Sequence, residues 1–90
     1  MPRPRIRTSD ITKYRMNKGW HTPALSEAAN ISDASIRRIE ESQEVLRVVV
    51  AKYLRVLGID LNNPATLPAN WVILDRGEKV ILKVILSIKQ

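Results

Sequence analysis

The chain has 90 residues, a formal net charge of +6 and no cysteine. That length allows one small domain, which buries only about 60–65% of the surface its unfolded chain exposes. The missing cysteines exclude disulfides, thiolate zinc sites and thiol catalysis, and the lone histidine, His21, argues against a metal centre or a histidine-dependent triad.

The charge is unevenly spread. Residues 1–20 hold Arg3, Arg5, Arg7, Lys13, Arg15 and Lys18 against Asp10 alone, a surplus of five. Such asymmetry suits a polyanionic partner, nucleic acid or an acidic membrane surface; a solvated, solubilising face fits it as well. The opening "MPRPRIRTSD" lacks the apolar run of a signal peptide. The longest apolar-rich stretch, "VILKVILSI" from Val80 to Ile88, is too short to span a bilayer. A soluble, cytoplasmic protein without a membrane partner is expected.

Residues 1–8, with two prolines, three arginines and no periodicity, read as a flexible basic arm. Ser9 can cap a first helix running to about Asn17, with Ile11 and Tyr14 inward and Gly19 as the stop. A second, short helix lies within "HTPALSEAAN". Thr22 can cap it, Pro23 suits the first helical position, and Asn30 can end it in the left-handed conformation. Ser32 starts a third helix with Ile36 and Ile39 on its core side. Ile31 is the buried plug of the turn between the two.

A last helix is expected within "VLRVVVAKYLRVLGI" (Val45 to Ile59), where Val50, Tyr53, Leu54 and Leu57 share one face and Gly58 follows the end. Its β-branched first part suits loop or extended chain, so the start falls near Arg47. "DLNNPATLPAN" reads as a linker, assigned to residues 61–70. Residues 71–90 then change character. "DRGE" is a turn signal, and Val80, Leu82, Val84, Leu86 and Ile88 alternate with polar residues, which favours a β-hairpin with one apolar face. The spacing of Lys79, Lys83 and Ser87 also fits a helix. An isolated hairpin is marginal in water, so this face must pack on the chain's own helices or against a second copy.

The segments "YRMNKGW", "ALSEAANIS", "SIRRIEES" and "YLRVLGI" stand in an order and spacing that resembles the phage Cro/repressor-type (lambda-repressor-like) helix-turn-helix family, over about residues 9–60. The matching positions are Arg15, Gly19, Leu25 with Ser26, Ile31 with Ser32, and Ile36, Ile39 and Glu40. The chain departs from the pattern at His21, where a Thr or Ser cap is usual, at Thr22, usually Gln, and at Ser42, often Gly.

The resemblance implies a mainly α domain of four to five helices, with the C-terminal hairpin making the whole α+β. It implies an ion pair between Arg15 and Glu40. It also implies that the third helix, residues 32–42, enters the major groove of an operator. Asp33, Ala34, Ser35, Arg37 and Arg38 are then the base-reading candidates. Arg38 suits guanine O6 and N7, and Ala34 a thymine methyl. Asp33 has three readings: a favourable acid in a first helical turn, an acceptor for cytosine N4, or a sign that this helix avoids DNA. Backbone-contact candidates are Arg3, Arg5, Arg7, Lys18, His21 and Thr22, with the amides of Thr22 and Ala24. Small family members often pair through C-terminal segments, which makes Trp71, Val80, Leu82, Val84, Leu86 and Ile88 dimerisation candidates.

The expected function is a homodimeric DNA-binding repressor of a phage or mobile-element promoter. It would read an inverted repeat in double-stranded DNA and sit on the nucleoid of a bacterial or phage-infected cell. Two alternatives remain: an antitoxin-type protein-interaction module using the apolar C-terminal segment, and an RNA-binding regulator using the arm. An enzyme lacks its parts here. The chain has no Gly-rich phosphate loop and no acidic metal cluster, and no cofactor is implied.

Overall fold

A computed structural model describes residues 9–85. The arm and the candidates Arg3, Arg5, Arg7, Leu86 and Ile88 lie outside the described residues. Helix α1 spans Asp10–Asn17, and the Ser9 hydroxyl accepts the Thr12 amide at its start. Helix α2 spans Thr22–Ala29 and α3 spans Asp33–Glu40, where Ser32 accepts the Ser35 amide. Helix α4 spans Arg47–Val56. Strands β1 (Val45–Leu46), β2 (Trp71–Arg76) and β3 (Lys79–Val84) make one antiparallel sheet in the order β1-β3-β2. The described residues thus form a mixed α+β fold, with four α-helices and a three-stranded sheet. No helix among the described residues is long and apolar enough to cross a membrane.

Helices α1, α3 and α4 end alike. Past each last turn one residue takes a left-handed φ: Gly19 at 87°, Ser42 at 59° and Gly58 at 81°. The next amide reaches back to a carbonyl of the last turn: Trp20 to Arg15, Gln43 to Arg38 and Ile59 to Leu54. This closure satisfies carbonyls that a helix end leaves bare. Glycine does it without strain; Ser42 does it with a Cβ in the way.

The core is one cluster. Ile11, Leu25, Ile31, Ile36, Ile39, Val50, Tyr53, Leu54 and Leu57 from the helical half pack with Val45, Trp71, Val80 and Leu82 from the sheet. Tyr14 meets Trp71 edge-on, ring centroids 5.0 Å apart, a favoured aromatic geometry.

Three expectations are corrected and one is sharpened. Val45 and Leu46 are extended, one of the two readings open for them, and pair with Val80 and Lys79 as a third strand ahead of a helix that starts at Arg47. The α2 cap is His21 rather than Thr22, so Thr22 is the first helical residue and Pro23 the second. Residues 61–70 are not slack linker. Asn63 caps a short 3-10 turn at Pro64–Thr66, and the Thr66 hydroxyl ties back to the Asp60 and Asn63 carbonyls. Finally, Trp71, Val80 and Leu82 are not a surface for a second copy. They are buried, with Val84 packed beside them, because the chain's own helices cover that face of the hairpin.

Period-two patterning holds over Lys79–Val84, which is strand. Its buried Val80 and Leu82 alternate with outward Lys79, Ile81 and Lys83. The hairpin closes through Gly77–Glu78, and Asp75 accepts both the Gly77 amide and an Arg47 guanidinium bond.

Candidate nucleic-acid interface

The site builds from the α2–α3 corner. Only Asn30, Ile31 and Ser32 separate the two helices. Asn30 takes the left-handed conformation at φ 59°, which asparagine tolerates better than most residues. Ile31 is buried beneath the corner. Its amide donates to the Ser26 carbonyl at 3.1 Å, and the Ser26 hydroxyl donates back to the Ile31 carbonyl. That reciprocal pair clamps the corner. Ser26 matched a family position in the sequence, but its clamping role was not foreseen.

Helix α3 buries Ile36, Ile39 and Glu40. At 3.6 residues per turn the opposite face is Ala34, Arg37, Arg38 and Glu41, with Asp33 and Ser35 at its borders. Asp33, Ala34, Arg37 and Arg38 are exposed; Ser35 is half-buried. The five base-reading candidates therefore share one outward surface. They are not equally free. Ser35 exchanges a hydrogen bond with the Ser32 hydroxyl at 3.0 Å and holds the cap with its amide. Ala34, Arg37 and Arg38 make no side-chain hydrogen bond or ion pair among the described residues. Glu41, unremarked in the sequence, adds an acid to this face and accepts from Gln43. Two arginines thus face two acids, Asp33 and Glu41, and α3 presents no net charge outward.

Glu40 anchors α3 from behind. It pairs with the Arg15 guanidinium on α1, and both are buried, at 8% and 5% exposure. The expected ion pair is one part of a larger network. Thr12 Oγ1 donates to Glu40 Oε1 at 2.8 Å and Tyr53 Oη donates to Oε2 at 2.7 Å. Arg15 also reaches the Trp20 carbonyl at 2.7 Å. One carboxylate so joins α1, α3 and α4. Burial opposes charge on Arg15, but the Glu40 hydrogen bond and charge outweigh it and hold its pKa above the ordinary value. Burial, then the Glu40 bond and charge, pushes Tyr53 well above the ordinary tyrosine range. A tyrosine at a core position was the available signal, because a buried hydroxyl needs a partner.

The backbone-contact candidates are less uniform. Lys18 is exposed, and its ammonium lies 5.3 Å from the Tyr14 ring centroid. His21 is exposed and gives α2 no side-chain cap bond. Thr22 is half-buried at the first turn. With no side-chain cap, the early α2 amides remain donors for an anion.

Compared with protein-family models, with curated proteins and with solved structures, the chain gives no match, so its likeness to the repressor-type pattern rests on the residues quoted above.

Proposed function

We propose that this protein is a sequence-specific DNA-binding regulator, a homodimeric repressor of a phage or mobile-element promoter, that lays α3 in the major groove of each half of an inverted repeat. In this reading α2, the clamped corner and α3 form a helix-turn-helix of the repressor type. The observation that carries it is the outward face of α3. Ala34, Arg37 and Arg38 project together from a helix held by Ser26 on one side and by Glu40 on the other.

The neutrality of that face divides the labour. Long-range attraction to phosphates falls to the basic residues of the first twenty other than Arg15, which is buried against Glu40. They enter the described fold at Ser9, which bonds Thr12 at 2.9 Å, and Thr12 in turn bonds Glu40 on α3. Discrimination falls to α3, where Asp33 repels arbitrary phosphate and favours a base that offers a donor.

The test is selection from random duplex DNA, followed by footprinting of the DNA upstream of the gene at low and physiological salt. The expected result is an enriched inverted repeat with half-sites about one helical turn apart, protected at both salts. Arg38→Ala should keep its helical spectrum and lose about 1–3 kcal/mol of discrimination at one base pair. Protection everywhere at low salt and nowhere at physiological salt, or tighter binding to single-stranded or hairpin RNA, overturns the reading. The protein-module alternative rested on an exposed apolar strand; Val80 and Leu82 of that strand are inside the chain's own core.

A further inference from the structure

Glu41 is the residue of the outward α3 face that has no role in base reading. It is exposed and stands in line with Ala34, Arg37 and Arg38, at the cap that follows the last helical residue. Helix stability does not account for it. The carbonyl end of a helix favours cations and disfavours an acid, the reverse of the situation at Asp33. A local ion pair does not account for it either. Glu41 lies four residues after Arg37 and three after Arg38, the two spacings at which side chains meet on a helix surface. Its carboxylate bonds neither guanidinium. It accepts from Gln43 Nε2 at 2.8 Å.

The backbone arranges that choice. Ser42 takes its left-handed φ of 59° and turns the chain back on the helix end. The Gln43 amide then closes on the Arg38 carbonyl at 2.9 Å, which fixes the root of the Gln43 side chain beside the last turn. Gln43 is itself exposed, and among the described residues its side chain bonds only Glu41.

We propose that Gln43 is a positioning residue for the recognition surface: it holds the Glu41 carboxylate away from Arg37 and Arg38 and so leaves both guanidinium groups open to DNA. This rests on the regulator reading above. Without the Gln43 amide, the two arginines are the cations within helix-surface reach of Glu41. A pair with either one would occupy the donors that a guanine or a phosphate needs. The Gln43 amide is neutral, so it directs the carboxylate without cancelling its charge. The acid therefore still opposes arbitrary phosphate at the C-terminal end of the face, as Asp33 does at the other end.

The test is a double-substitution cycle on the whole chain, read in two ways. Heteronuclear NMR of the free protein follows the arginine Nε–H signals. Gln43→Ala should shift the signal of Arg37 or Arg38, and adding Glu41→Gln should return it to its place in Glu41→Gln alone. Duplex binding is read at low salt, on the sequence enriched by selection. Gln43→Ala should raise Kd about two- to threefold, the share of arginine taken up by one helix-surface pair. In the Glu41→Gln background the same substitution should leave Kd unchanged. Unchanged circular dichroism melting curves would show that the fold survives. Arginine signals that ignore Gln43→Ala overturn the proposal. So does a loss of binding that persists with Glu41→Gln, which would make Gln43 itself a DNA contact. Signals that shift and return in a chain that selects no duplex would keep the positioning and refute only the regulator reading.

Discussion

Replacing Glu40 by alanine tests whether one buried carboxylate holds the helical half together. The substitution leaves the Arg15 guanidinium, 5% exposed, without a counter-charge. Breaking one side of a buried ion pair costs about 3–5 kcal/mol. The Tyr53 and Thr12 hydroxyls, which donate to Glu40 at 2.7 and 2.8 Å, lose their acceptor as well. An unsatisfied buried hydroxyl adds about 1–3 kcal/mol, though the contributions do not add fully within one network. A loss of about 4–5 kcal/mol follows, against a total of about 5–13 kcal/mol for a chain of this size. Removing both charges is different. Arg15→Met with Glu40→Met leaves no buried charge, so the double variant should be more stable than Glu40→Ala by about 2 kcal/mol or more. Urea unfolding followed by circular dichroism and by Trp20 and Trp71 fluorescence gives these differences from the midpoints. A Glu40→Ala loss below about 1 kcal/mol, or a double variant no better than the single one, would refute the network as the support of α3.

Further outcomes follow from the same geometry. Tyr53→Phe should cost about 1.5 kcal/mol at neutral pH, as expected for a hydrogen bond to a charged group. Because the folded-state pKa of Tyr53 is raised, its stabilisation is complete below about pH 10, where unfolded tyrosine is still neutral. Above that the unfolded chain releases the proton first, and wild type loses about 1.4 kcal/mol per pH unit until the folded pKa is reached. Unfolding curves should show the Tyr53→Phe deficit shrinking above pH 10; a constant deficit would contradict the linkage. Ser42→Gly should raise stability by about 0.5–1 kcal/mol, because φ of 59° strains a side chain there; a lower melting temperature would count against that closure. Asp33→Ala should cost a few tenths of a kcal/mol at the start of α3 and tighten binding to random duplex DNA. An unchanged ratio of specific to random binding would leave Asp33 only its part in starting the helix.

The sequence alone carried the local structure, because those signals act over three or four residues. Ser9 and Ser32 are cap residues whose hydroxyls accept the amides of Thr12 and Ser35. Asn30 and Gly19 supply left-handed stops. The parity of Val80 and Leu82 favoured strand over helix, although the spacing of Lys79, Lys83 and Ser87 left helix open, and it marked inward from outward. The outward face of α3 followed from the spacing of Ile36 and Ile39. Tertiary structure decided the rest, where the deciding partner is distant in sequence. Val45 and Leu46 become a strand because the β3 edge, more than thirty residues on, offers them hydrogen bonds. Two residues carry too little pattern to announce that. His21 caps α2 without a side-chain bond, so residue type misled where backbone placement ruled. Glu40 gathers donors from α1 and α4 that only folding brings within reach. Alternation marked one face of the hairpin as apolar, but whether its own helices or a second copy covered that face depended on the packing of the whole chain. The helices cover it, and among the described residues Leu46 and Val48 stay exposed, as do Met16, Leu74 and Ile85.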